Sequence, residues 1–175
     1  MKAAAQRVSQ GLSALLAFAS APEFDLARRH LSSCEFAAFR KLSRAEQLHS
    51  LAVLRQALKS EAAASKELVA AALLHDVGKA RHPLALWQKT LAVLLDALAP
   101  AFCSKLSEAE EIRFWRAPFI VRRRHPRWGG EILRRCNSSA AVIWLVEHHQ
   151  DELASHRDHE WYNLVARLQR ADGEC

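Results

Sequence analysis

Histidines and aspartates recur along this chain in an order suited to holding metal ions: His49, then His75-Asp76, His125, His148-His149 and Asp172. Neutral imidazole nitrogens and carboxylate oxygens together suit Mn, Fe, Co, Ni or Zn, with Mg where oxygen and water ligands dominate. Each residue alone has an ordinary explanation. His49 reads as a histidine at a helix edge, and His148-His149 as a surface pair, because neighbours on a helix do not easily point at one ion. Asp172 near a helix end opposes the helix dipole and needs compensation. The ordered set carries more weight than any member.

The intervals describe the scaffold. His49 to His75 is 26 residues, His125 to His148 is 23 and His148 to Asp172 is 24. Each is about one helix and a return, so side chains at successive antiparallel helix ends can converge in a bundle. The periodicity predicts a first helix over 3–18 and a second over 23–31, with Ser32-Ser33 ending it. Ser43 with Glu46 forms a capping box for a helix to about Leu58, and Leu48, Leu51, Leu54 and Leu58 are expected on its inner face. Ser65 opens a helix that runs to His75-Asp76, where Gly78 is expected to stop it. A Leu-rich helix is predicted over 84–97, and Ser107 with Glu110 suggests a third capping box. Pro118 is read as an interruption, Pro126 as the first turn of a helix to about Arg135. Asn137-Ser138-Ser139 caps the next helix, to His148-His149, and a last one covers 160–171, ended by Gly173.

Half of the 175 residues are apolar, and glycine and proline number five each. This favours helices over strands, and the length allows one substantial core. The expected fold is all-α, a single helical bundle: residues 1–42 an extension packed on the core, 43–175 the metal-binding domain. Net charge is +6, and eight arginines fall within the 23 residues from Arg113 to Arg135. Such a block attracts phosphate or another anion. Four dispersed cysteines, Cys34, Cys103, Cys136 and Cys175, make no CxxC pair and read as reduced thiols in a cytoplasmic protein, with Cys175 exposed. The N-terminus imitates a signal peptide, but its short, interrupted apolar stretch reads better as an amphipathic helix. No stretch approaches a membrane span. The five tryptophans are expected in the core, with Trp128 a candidate for the pocket wall. His30, His82, His156 and His159 are expected to face solvent.

The ordered set, with the motif His75-Asp76-Val77-Gly78-Lys79, the run His125-Pro126-Arg127-Trp128-Gly129 and the pair His148-His149, resembles the HD-domain metal-dependent phosphohydrolase superfamily. The resemblance spans about Ser43 to Asp172 and is nearest the HD-GYP branch, although Gln150-Asp151-Glu152 stands where that branch has its Gly-Tyr-Pro element. It implies His49, His75, Asp76 and Asp172 as ligands of one ion, with Asp76 bridging to a second held by His125 and one of His148 and His149. The assignment taken is His148 as the ligand and His149 as the proton donor to the leaving oxygen. The cofactor would be two divalent ions (Mn, Fe, Ni, Co or Mg). Asp76 and Lys79 would serve catalysis, and Lys79, Arg124 and Arg127 would bind the phosphoryl group of an anionic small molecule such as a nucleotide. The activity implied is hydrolysis of a phosphate ester, with a di-iron oxygenase or a non-catalytic ligand sensor as alternatives. Neither a membrane nor a specific nucleic acid is expected as a partner.

Overall fold

The computed structural model describes residues 23–59, 64–85, 88, 95, 112–113 and 115–175. The helices predicted over 3–18 and 84–97, the Ser107-Glu110 capping box, Trp87 and Cys103 lie outside them or nearly so. The described residues form seven α-helices and two 3-10 turns, without a strand. In chain order these are α1 (Phe24–His30), α2 (Ser33–Phe39), α3 (Arg44–Leu58), α4 (Lys66–Leu74), a turn at Val77–Arg81, α5 (Ala117–Arg135), α6 (Ala140–His148), a turn at Leu153–His156 and α7 (Tyr162–Gly173).

Helix α4 is the axis of the core. Every residue from Leu68 to Leu74 is buried, and α4 packs against α3, α6 and α7 and also touches α1 and α2. Ala27, Leu31, Ala38, Phe39 and Leu42 join the same apolar cluster as Leu51, Leu54, Leu73, Leu145 and Leu168. A helix apolar all round is stable only inside such a shell. On α3 the inner face consists of Leu51, Val53, Leu54 and Ala57, whereas Leu58 is exposed.

The starts of the helices follow the expected chemistry. Ser43 Oγ accepts from the Glu46 amide and Glu46 answers to the Ser43 amide; Ser65 and Ser139 cap α4 and α6 in the same way on one side. Ser32 departs from expectation, since it begins α2 rather than merely ending α1. Its side chain and that of Glu35 complete a capping box, and Glu35 also accepts from Ser138 Oγ at 2.6 Å.

Two expectations about helix breakers are corrected. Gly78 is not a left-handed helix stop, because no described glycine has positive φ. α4 ends three residues before the turn at Val77, and Gly78 is required for proximity: a Cβ there would lie 1.9 Å from the His125 carbonyl oxygen and 2.7 Å from the Gly129 nitrogen. The prolines exchange roles. Pro118 sits in the first turn of α5 and Pro126 lies inside that continuous helix. A proline at a helix start loses no hydrogen bond, whereas an internal one leaves a carbonyl without its amide.

The cysteines are also corrected. Cys34 and Cys136 form a disulfide that joins the start of α2 to the end of α5. The bond reflects proximity in three dimensions across 102 residues of sequence, so spacing gave no sign of it. Disulfides are characteristic of oxidising compartments. Cys175 is free and half-buried. No described helix is long and apolar enough to cross a membrane.

Candidate metal centre

The centre is built from five helices, two of which, α4 and α6, present their ligands at their C-terminal ends. α4 delivers His75 as its C-cap and Asp76 next to it; α5 delivers His125, and α6 delivers His149 as its C-cap. All four side chains are buried. Helix α3 adds His49 and α7 adds Asp172, each about one-third exposed.

The local backbone sets the direction of each ring. The Nδ1–H of His75 donates to the Ala72 carbonyl at 3.0 Å, and that of His149 to the Val146 carbonyl at 2.8 Å. His125 Nδ1 lies 2.9 Å from the Arg122 carbonyl and 3.0 Å from that of Val121. The Arg122 carbonyl is the one that Pro126, lacking an amide proton, leaves open. Proline inside α5 therefore vacates the acceptor that orients the ring. With the Nδ1–H of each ring donated to these carbonyls, the arrangement favours the tautomer that turns a bare Nε2 inward, the one a metal-ligating histidine needs.

These nitrogens surround the two oxygens of Asp76. Oδ1 lies 3.2 Å from His125 Nε2 and 4.0 Å from His149 Nε2. Oδ2 lies 3.6 Å from His75 Nε2 and 2.6 Å from Lys79 Nζ. Asp172 Oδ1 is 2.8 Å from His49 Nε2 and 3.6 Å from His75 Nε2. Two groups of ligand atoms thus meet at one carboxylate: His49, His75 and Asp76 on one side, Asp76, His125 and His149 on the other.

The donor set fits a cation. His75 Nε2 is buried without a hydrogen-bond partner, and the His125 and His149 Nε2 atoms face each other at 3.2 Å. Lone pairs so arranged repel unless a proton or a metal lies between them, and a buried polar atom without a partner is costly. Protonation is opposed at His149, whose pKa is pushed down to about 3 by burial and then by His75. Burial lowers His75 as well. Burial works against the Asp76 carboxylate, yet the Lys79 ammonium beside it holds it well below the ordinary carboxylate range. Burial disfavours the Lys79 ammonium too, and Asp76 more than compensates, raising its pKa. At the edge, burial is outweighed only by the shared hydrogen bond and the neighbouring opposite charges acting together, so that His49 is raised and Asp172 lowered. His49 thus supplies the compensation that Asp172 needs in the last turn of α7.

Of the residues singled out in the sequence, His49, His75, Asp76, Lys79, His125, His149 and Asp172 are brought together. His148 is not. One residue earlier on α6, it points outward to Asp151 at 2.6 Å, so of the pair it is His149, not the expected His148, that faces Asp76 and His125. Arg127 is also displaced from its expected place. Two residues after His125 is about 200° around a helix, and its side chain is 83% exposed beside Glu131. Arg124 is half-buried, about 100° from His125. Trp128 packs with Ile120 and Val121, and Arg81 lies over its ring, whereas Trp115 is exposed against expectation. His156 and His159 are half-buried around Trp144 rather than solvent-facing. The Nδ1 acceptors escaped the sequence reading, although Pro126 directly after His125 was the visible sign of one of them, the Arg122 carbonyl.

No curated protein and no solved structure matches the chain. The HD domain family matches residues 48–172, a segment that contains every residue of the centre. Helical architecture, ordered ligands and this match lead to one conclusion: the chain belongs to the HD domain family.

Proposed function

We propose that this protein is a metal-dependent phosphohydrolase that cleaves an anionic phosphate ester, such as a nucleotide, at a dinuclear centre. One observation carries the reading: buried Nε2 atoms, bared by backbone acceptors, converge on both oxygens of a single carboxylate. His49, His75, Asp76 and Asp172 would hold one ion; Asp76, His125 and His149 would hold the other. Divalent ions bound there supply Lewis acidity towards phosphoryl oxygens and lower the pKa of a coordinated water.

The chain's own groups prepare the site for that chemistry. Asp76 keeps its negative charge and offers one oxygen to each group of histidines. The backbone acceptors keep the rings from turning, which limits the reorganisation needed on binding. Lys79 carries an ammonium in direct contact with Asp76, and a short swing of its side chain would place it against a phosphoryl oxygen. The arginine-rich surface of α5, Arg124 included, favours approach of an anion. With Arg127 paired to Glu131, its contribution would be long-range attraction.

Metal content per chain and hydrolysis of p-nitrophenyl phosphate and bis-p-nitrophenyl phosphate, measured for wild type and D76N, test the reading. Expected are two equivalents that depend on Asp76, and hydrolysis, in the wild type, both lost in D76N. Hydrolysis at the wild-type rate by D76N would exclude the proposed centre. Tightly held iron with oxygen consumption and no hydrolysis would replace it with the oxygenase reading.

A further inference from the structure

A second group of ligand atoms lies outside the centre, on the other side of the His148-His149 pair. His148 Nδ1 and His156 Nε2 approach the same oxygen of Asp151, at 2.6 and 3.0 Å. The three ligand atoms lie within 4.8 Å of one another. Two rings and one carboxylate are thus gathered by a helix end and the short 3-10 turn that follows it.

The supporting structure is specific. The Asp151 amide donates to the His148 carbonyl, and its own carbonyl accepts from Gln169 Nε2 at 2.8 Å, tying the loop to α7. Trp144, one turn before His148, fills the space behind the rings. Its centroid lies 4.6 Å from that of His148 and 5.1 Å from that of His156. His159 stacks on Trp144 at 3.9 Å with planes 9° apart. His159 itself stands outside the set, since its Nδ1 accepts from the Trp161 amide. An aromatic backing of this kind holds the rings in place and leaves the opposite side, towards the half-exposed Asp151, open to solvent.

We propose that His148, Asp151 and His156 form an accessory site for a borderline transition-metal ion, with zinc as its natural probe. Two imidazoles and one carboxylate suit Zn, Co, Ni or Cu and discriminate against Mg and Ca, which require mostly oxygen. Three protein ligands leave at least one position for water or for a group on another molecule. The ion would clamp the loop after α6 to the end of that helix, next to His149. The site is independent of the dinuclear reading, because it shares no ligand with it.

Zinc binding is measured by equilibrium dialysis with elemental analysis on wild type, H156Q and D76N. In parallel, ¹⁵N-labelled side chains are followed so that the His156 ring signal can be read during titration. Expected are one equivalent fewer in H156Q than in wild type, and a zinc-dependent shift of the His156 ring signal in both wild type and D76N. Equal stoichiometry in H156Q and wild type would overturn the proposal, showing a hydrogen-bonded network only. An unmoved His156 signal at saturating zinc would overturn it equally. Should H156Q fail to fold, the ring signal of the wild type decides alone.

Discussion

His148 and His149 are chain neighbours of identical chemistry, yet they belong to different environments. His149 lies among buried rings, its Nδ1 committed to the Val146 carbonyl and its Nε2 turned to Asp76 and His125. His148 is about one-third exposed and directs Nδ1 to Asp151. Inside, backbone carbonyls orient the rings and the carboxylate is encircled. Outside, the carboxylate itself orients the rings, with Trp144 behind them. The difference teaches that a ligand is made by what holds the nitrogen not used for ligation, and that the residue type alone does not decide it.

Each variant below separates the inner arrangement from the outer. Gly78→Ala strikes only the inner one, where the turn after Asp76 meets α5 backbone to backbone. A methyl 1.9 Å from the His125 carbonyl forces the two apart, at a cost of about 3 kcal/mol or more. Urea denaturation should show that loss, with inner metal affinity falling alongside. Wild-type stability in this variant would mean the contact is not close.

H149Q and H148Q compare the neighbours directly. H149Q should fall below H148Q in hydrolytic rate by at least the roughly 10–100-fold typical of losing a metal's supporting group. Equal rates would erase the distinction drawn between them. P126A is subtler. It returns an amide proton to the Arg122 carbonyl and so competes with the His125 ring, while the helix itself gains from losing an internal proline. Metal affinity should drop by about tenfold, at the low end for an outer partner, because Val121 still accepts. Thermal stability of the metal-free chain should hold or rise, and a parallel fall of both would point to lost packing instead.

The last comparison is pH dependence. His149 has a native pKa of about 3 against an ordinary 6.5. Between those values the unfolded chain takes up a proton that the native chain refuses. Metal-free stability should therefore decline as pH falls below about 6.5, by up to about 1.4 kcal/mol per pH unit from this residue. His49 acts in the opposite sense: its pKa is raised, so its contribution is present below 6.5 and lost as pH rises through the native value. Denaturation curves at pH 7, 6 and 5 should flatten in H149Q; an unchanged slope would remove His149 as their origin.

Much of the bundle was legible because its signals are local. Ser43 with Glu46, Ser65 and the run Asn137-Ser138-Ser139 announce helix starts through side-chain oxygens that suit a helix N-terminus, and the apolar run of α4 announces its burial. What escaped depended on contacts between distant segments. Gly78 looked like a helix stop, because the helix that makes it indispensable begins 39 residues later. Pro118 and Pro126 were interchanged, since sequence cannot tell an open carbonyl that is a defect from one that a histidine occupies. His148 and His149 could not be separated either: both stand at the end of α6, and which faces inward depends on how α6 packs against α4 and α5. Arg127 misled for a related reason, being close to His125 along the chain and across the helix from it in space.

The disulfide gives the ligand set an unequal attachment. Cys34 and Cys136 bound together make a closed loop of the chain that contains His49, His75, Asp76 and His125. His149 and Asp172 lie on the tail beyond it. A single protease cut anywhere within the loop would leave one covalent molecule still carrying all six residues. A single cut between Cys136 and His149 would release the last two.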